Sequence, residues 1–197
     1  MRDMGEIKKE RKRKIVEEAS KLFAKYGSKK TSLEDIAEAT GLVKTSLYYY
    51  FKSKEELFQA VIKHEREILI DSLQKEIGNN SSPLKKLQVY VIKRINGIKE
   101  LVNLYKLAMG SAKESMPLIE KERRQFFRIE KELVLDILNE GIQQKTFHIG
   151  NPERVAIVII ATLRGLESTI RLYDARQFDS ADLDSILNIF LYGIVLA

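Results

Sequence analysis

The sequence predicts an all-α protein of about nine helices. Three observations carry that expectation. Apolar residues recur at helical spacing along nearly the whole chain, strand-like alternation is hard to find, and only three prolines and ten glycines interrupt 197 residues. The expected architecture is an N-terminal three-helix domain, residues 1–53, followed by a larger helical domain, residues 54–197.

Taken in order, a first helix is expected from about Lys8 to Tyr26. Ile15, Ala19, Leu22, Phe23 and Tyr26 share one side of it, and Gly27 ends it. Two capping registers open the second helix, Leu33–Ala39: Thr31 with Glu34, or Ser32 with Asp35. Gly41 breaks the chain, and a third short helix spans Lys44 to Phe51. Ser53 and Glu56 cap a long fourth helix, Lys54 to about Ile77. After the loop GNNSSP, Pro83 occupies a first helical position. Apolar helix then runs to about Ala112, with a break expected near Asn96–Gly97 and another at Ser115–Pro117. Leu118 to Gln144 forms a long helix, and QKTFHIGN turns the chain. Asn151 caps and Pro152 starts a helix that continues to about Tyr173. Leu183–Ala197 is the last.

Charge is unevenly distributed. Residues 1–66 hold 16 Lys+Arg against 11 Asp+Glu, whereas residues 67–197 hold 18 against 17. Almost all of the net charge of +6 therefore lies in the first third, which suggests a polyanionic partner there. The absence of cysteine excludes a disulfide framework and thiolate metal sites, and is consistent with a reducing compartment. The polar, basic beginning is not expected to be a secretory signal. The longest apolar block, Val155–Ala161, has seven residues, against about 20 for a membrane span. A cytoplasmic protein without membrane contact is expected.

The segment LEDIAEATGLVKTSLYYYF, 33–51, carries the chemistry. Ile36, Leu42, Leu47 and Tyr50 can meet in one small core, Ala37 is small where helices cross, and Gly41 supplies the turn. In a helix-turn-helix the second helix enters the DNA major groove. At about 100° per residue, Leu47 and Phe51 point inward, Tyr50 lies at the core edge, and Tyr49 shares the outward direction of Thr45. Tyr48 and Ser46 take the shoulders. Hydroxyls of Tyr48, Tyr49 and Tyr50 suit phosphate oxygens, and Lys44 suits guanine O6 or N7. Lys44, Thr45 and Ser46 stand where side chains reach base edges. Lys52 and Lys54 flank the next helix start, whose free amides also favour phosphate. The run KKERKRK, 8–14, either follows the DNA backbone or minor groove or is a solvated arm.

TSLEDIAEATGLVKTSLYYYFKSKEELFQAVI, 31–62, preceded by IVEEASKLFAKYG, 15–27, resembles the tetracycline-repressor (TetR) family of bacterial transcription regulators. ILNEGIQQKTF, 137–147, is a weaker echo. The resemblance implies an all-helical homodimer with an N-terminal DNA-binding domain and a C-terminal ligand-binding and dimerisation domain. It also implies that Ser32 caps the second helix and touches phosphate, that Lys44, Thr45 and Ser46 read bases, and that Tyr48, Tyr49, Tyr50 and Lys54 hold the backbone. Val43 departs from a common serine and Thr45 from a common glycine, so no relative's operator can be transferred.

Beyond the motif, Val155, Val158, Ile159, Thr162, Leu166 and Ile170 form an apolar side on which Gly165 permits close approach. Ile186, Ile189, Phe190, Gly193, Ile194 and Leu196 do the same on the last helix. Two such helices from each subunit would bury both stripes. Tyr90, Arg94, Tyr105, Met109, Met116, Phe126 and Phe127 can line a pocket for an apolar or acyl-chain-bearing effector, although such residues also serve as plain core. Enzyme chemistry finds little support. His64 with Glu67 is a better surface pair than a metal edge, the Glu-x-x-His pairs of di-metal bundles are absent, and Arg164, Glu167 and Arg171 are spaced for a salt-bridge row. No cofactor or metal is expected. The reading is a repressor released from a palindromic operator by a small effector; the alternative is a dimeric helix-turn-helix module without small-molecule control.

Overall fold

The computed structural model describes residues 3–100, 103, 116–172, 185, 188 and 189. It is all-helical, with no β-strand element among the described residues. The helices are α1 (Met4–Tyr26), α2 (Leu33–Ala39), α3 (Lys44–Tyr50), α4 (Lys54–Gly78), α5 (Pro83–Glu100), α6 (Met116–Gln143) and α7 (Pro152–Leu172). Two compact units divide the chain: Met1–Ile68 with Leu101–Leu118, and Leu69–Glu100 with Ile119–Ala197. The division falls inside α4.

The core of the first unit gathers Ile15, Val16, Ala19 and Phe23 of α1 with Leu33, Ile36 and Ala37 of α2. Leu47, Phe51, Leu57 and Val61 complete it. Leu42 and Tyr50 lie at its edge, as the spacing predicts. Phe58 packs edge-on against Phe23, with ring centres 5.4 Å apart. A buried polar knot adds to this unit. Glu65 accepts hydrogen bonds from Ser20 Oγ and Asn103 Nδ2, both at 2.6 Å, and Asn103 also donates to the Ser20 carbonyl at 3.0 Å. A buried carboxylate needs such donors to offset its lost hydration.

Two local expectations give way to different arrangements, and one of the two expected capping registers is chosen. The helix α1 starts earlier, at Met4, because the Asp3 carboxylate accepts from the Gly5 amide, so the basic run 8–14 is helix and not arm. Tyr26 is exposed, with the Lys25 ammonium 4.8 Å from its ring centre. Ser32 and Asp35 form the reciprocal capping box of α2, while the buried Thr31 donates instead to the Gly27 carbonyl at 2.9 Å.

In the second unit, Leu69, Leu73, Leu87, Tyr90, Val91, Ile95, Val134, Leu138, Ala156, Ile159, Ile160 and Leu163 are buried. The break expected near Asn96–Gly97 does not occur; α5 continues to Glu100. Leu69 lies over Gly97 so closely that a Cβ there would stand 2.4 Å from Leu69 Cδ1. Helix–helix packing thus outweighs the poor helix propensity of the pair. Asn151 caps α7 by accepting from the Arg154 amide at 3.0 Å. The expected break at Ser115, and the expected last helix 183–197 except residues 185, 188 and 189, lie outside the described residues.

Candidate nucleic-acid interface

Gly41 takes φ +67°, a left-handed conformation that costs a glycine little, and this turn joins α2 to α3. Leu47 and Phe51 anchor α3 in the core. The opposite side of α3 is thereby committed to solvent. Lys44, Thr45, Tyr48 and Tyr49 are exposed, whereas Ser46 and Tyr50 are half-buried. The Tyr49 and Tyr50 rings meet edge-to-face at 5.2 Å.

The basic part of α1 reaches this side. Lys8 Nζ donates to the Tyr49 hydroxyl at 3.1 Å and sits 4.4 Å from the centre of its ring. Lys12 lies 4.9 Å from the centre of the Phe51 ring. Such contacts fix Tyr49 and align the α1 ammonium groups with α3. Lys44 pairs with Glu34, which lowers the Glu34 carboxyl below its ordinary value and raises the Lys44 ammonium.

At the start of α4 the Ser53 hydroxyl accepts from the Glu56 amide at 3.1 Å, while Glu56 takes the Lys52 amide at 2.7 Å. Glu55 is held below its ordinary value by its own amide and then by Ser53. The Glu56 amide, one of those expected to be free for phosphate, therefore already has a partner. Lys52 is exposed and Lys54 half-buried beside them.

A different cluster occupies the second unit. Glu130 and Arg94 are almost fully buried and joined at 2.6 Å through Arg94 Nε and 3.3 Å through Nη2. The Tyr90 hydroxyl donates to Glu130 Oε1 at 3.1 Å, and Arg164 Nη2 lies 3.6 Å from Oε2. Burial, then the Glu130 charge, pushes the Tyr90 phenol well above its ordinary value. Burial opposes the charge on Arg94, but Glu130 and Tyr90 outweigh it and the guanidinium rises. For Arg164 burial prevails, aided by the nearby Arg94, and the value falls. Arg94 lies over Phe126 and Arg164 over Phe127, at 5.7 and 5.1 Å. Arg164 thus reaches another helix, and the side chains of Glu167 and Arg171, expected in a row with it, lie outside the described residues. Met116 begins α6, and Tyr105 and Met109 lie outside the described residues.

On α7, Ala156, Ile159, Ile160 and Leu163 turn inward, whereas Ile157, Val158, Ala161, Thr162 and Gly165 are exposed and Leu166 is half-buried. Ile189 is 76% exposed. Ile186, Phe190, Gly193 and Ile194 lie outside the described residues. Among the described residues no three metal-ligating side chains gather, Glu67 pairs with Lys63 at 3.7 Å, and no helix is long and apolar enough to cross a membrane.

Residues 15–61 match the model of bacterial regulatory proteins of the tetR family. The crystal structure of a transcriptional regulator from Cytophaga hutchinsonii is 32% identical, with a TM-score of 0.76 over 92% of this chain and 97% of that one. The chain belongs to the tetR family. It is a DNA-binding transcriptional regulator. The repressor KstR2 of Mycolicibacterium smegmatis is 27% identical over 142 residues, covering 70% of this chain and 67% of that protein. FadR of Bacillus subtilis, solved with stearoyl-CoA, shares the fold at 21% identity, with a TM-score of 0.75 over 92% of this chain and 98% of that one.

The start of α3 has no side-chain cap. Val43 precedes it, 66% exposed, and its carbonyl accepts from the Ser46 and Leu47 amides. The sequence marks Glu34 only as a capping candidate and does not mark Glu130. Their partners lie 10 and 36 residues away, a separation that helical periodicity does not reveal.

Proposed function

We propose that this tetR-family regulator is a homodimeric repressor that leaves a palindromic operator when a small, largely apolar effector binds its C-terminal region. The observation that carries the DNA-binding part is the division of α3 between the anchors Leu47 and Phe51 and the outward Lys44, Thr45, Tyr48 and Tyr49. In this reading residues 1–53 bind DNA and residues 54–197 bind effector and partner. Lys44, Thr45 and Ser46 read bases. Ser32, Tyr48, Tyr49, Tyr50, Lys52 and Lys54 hold the phosphates. The repressing sense is supported by the name of KstR2, and an acyl-bearing effector by the stearoyl-CoA in FadR.

Nine helices complete the proposed fold, and the last two of each subunit form a four-helix interface. Val158, Thr162, Gly165 and Leu166 meet Ile186, Ile189, Phe190, Gly193 and Ile194 there. The twofold axis would set two α3 helices about 34–36 Å apart, matching successive major grooves. A regulator of this kind works in the cytoplasm, where its DNA is. Effector binding acts through α4, which runs through both units. A coupling of about 1–3 kcal/mol, or roughly 5–150-fold in affinity, is the scale of such switches.

The test is selection of a duplex from a randomised pool, followed by titration at several salt concentrations. Specific binding has a steep salt slope and a sequence preference. Lys44→Ala should relax one base-pair position by about 1–3 kcal/mol, whereas Lys54→Ala should weaken all sequences alike. Uniform losses from both substitutions would reject these roles.

A further inference from the structure

We infer that the Tyr90–Arg94–Glu130–Arg164 cluster takes the anionic headgroup of an effector whose remainder is apolar. The inference rests on the effector-control reading and deepens it by naming the chemistry at one end of the ligand.

A buried ion pair is costly to desolvate, and its mutual attraction repays this only with good geometry. Arg94 and Glu130 achieve that geometry with two hydrogen bonds, and Tyr90 adds a third to the same carboxylate. Three hydrogen bonds thus already serve the Glu130 carboxylate. Yet a second guanidinium, Arg164, converges on Glu130 at 3.6 Å. Two guanidiniums now face one carboxylate, and burial, aided by the Arg94 charge, holds Arg164 below its ordinary value against the pull of Glu130. An approaching anion would relieve this imbalance.

Access is consistent with such a role. The Arg164 side chain keeps 35% of its surface exposed, while those of Arg94 and Glu130 keep 1% and 0%. A guanidinium has a planar fork that meets carboxylate or phosphate oxygens in pairs. Phe126 and Phe127 carry the two guanidiniums on their rings and supply apolar surface beside the charge. Charge at one point and rings around it suit an amphipathic ligand better than a hydrocarbon.

The test is calorimetric titration of the full chain with decanoate, decyl phosphate and decan-1-ol, each below its aggregation threshold. At least one anion should bind about tenfold or more tightly than the alcohol, the scale of a charge-assisted hydrogen bond. The preferred anion tells carboxylate from phosphate. Arg164→Gln should erase most of the advantage while alcohol binding persists, and Arg164→Lys should restore part of it. Equal binding of alcohol and anions overturns the inference but leaves an apolar effector standing. Equal loss of all three ligands in Arg164→Gln also overturns it, because a merely structural arginine would act that way. Binding of none overturns it together with the proposed effector class.

Discussion

Glu34, in the first turn of α2, forms an ion pair with Lys44, the first residue of α3. Both side chains are about half exposed, so the pair contributes little to stability. Its consequence is for binding. In the proposed role of Lys44, its ammonium is already compensated by a carboxylate, and a duplex must compete for it. Glu34→Gln should therefore strengthen binding to a random-sequence duplex. It should also make that binding more sensitive to salt, because a negative charge facing the polyanion is removed. Anisotropy titrations from low to moderate salt measure both. An unchanged affinity and salt dependence would show that the Glu34–Lys44 pair does not approach the duplex.

The capping box of α2 gives a pH prediction. Asp35 is held below its ordinary value of 3.8 by the Ser32 amide first and the Ser32 hydroxyl second. A depressed carboxylate stabilises the fold above its unfolded value, and the contribution is lost as pH falls through the lower folded value. Asp35→Asn should lower the melting temperature at neutral pH, and its difference from the parent should shrink in the acid range below 3.8. Ser32→Ala should cost about 1 kcal/mol at neutral pH. Thermal unfolding followed by circular dichroism across pH reads both, and a pH-independent Asp35→Asn difference would contradict the assignment.

Gly141 and Phe147 make a further prediction. The chain leaves α6 through Lys145 at φ +57°, and the Thr146 and Phe147 amides donate to the Gly141 carbonyl at 2.8 and 3.1 Å. Phe147 folds back onto Gly141, where an added Cβ would stand 2.0 Å from ring Cδ2. A ring fixed in a core cannot yield as a flexible side-chain tip can. Gly141→Ala should cost about 1–3 kcal/mol by overpacking. Lys145→Gly should raise stability, because glycine takes the left-handed conformation without the Cβ penalty of about 1–2 kcal/mol. Denaturant melts of the two variants should therefore shift in opposite directions.

These sites also show what the sequence makes legible. The turn at Gly41, the inward Leu47 and Phe51, the Ser32 cap, and the Asn151–Pro152 start of α7 depend on residues within a turn or two of one another. Local chemistry is enough to read them. The unbroken α5 depends on Leu69 lying over Gly97, and Arg94 depends on a glutamate 36 residues onward. Such pairings arise only when helices pack. Lys8 meets Tyr49 across 41 residues, so the sequence places the basic run in the first helix without showing that it is joined to α3.

Val158 tests the proposed twofold assembly. It is 56% exposed on α7, next to the exposed Ile157 and one turn before Thr162, whose hydroxyl donates back to the Val158 carbonyl at 2.9 Å. The opposite side of α7 is filled by Ile159, Ile160 and Leu163. A helix apolar on both sides has more such surface than one core can use. A charge at Val158 should leave the inner packing intact while penalising any apolar partner on the outer side. Val158→Glu should sediment as a monomer at micromolar concentration, with helical content close to that of the parent. Its DNA affinity should fall steeply, because each half-site must then be bound without help from the other. A dimer that persists in Val158→Glu with unchanged affinity would place the subunit interface elsewhere.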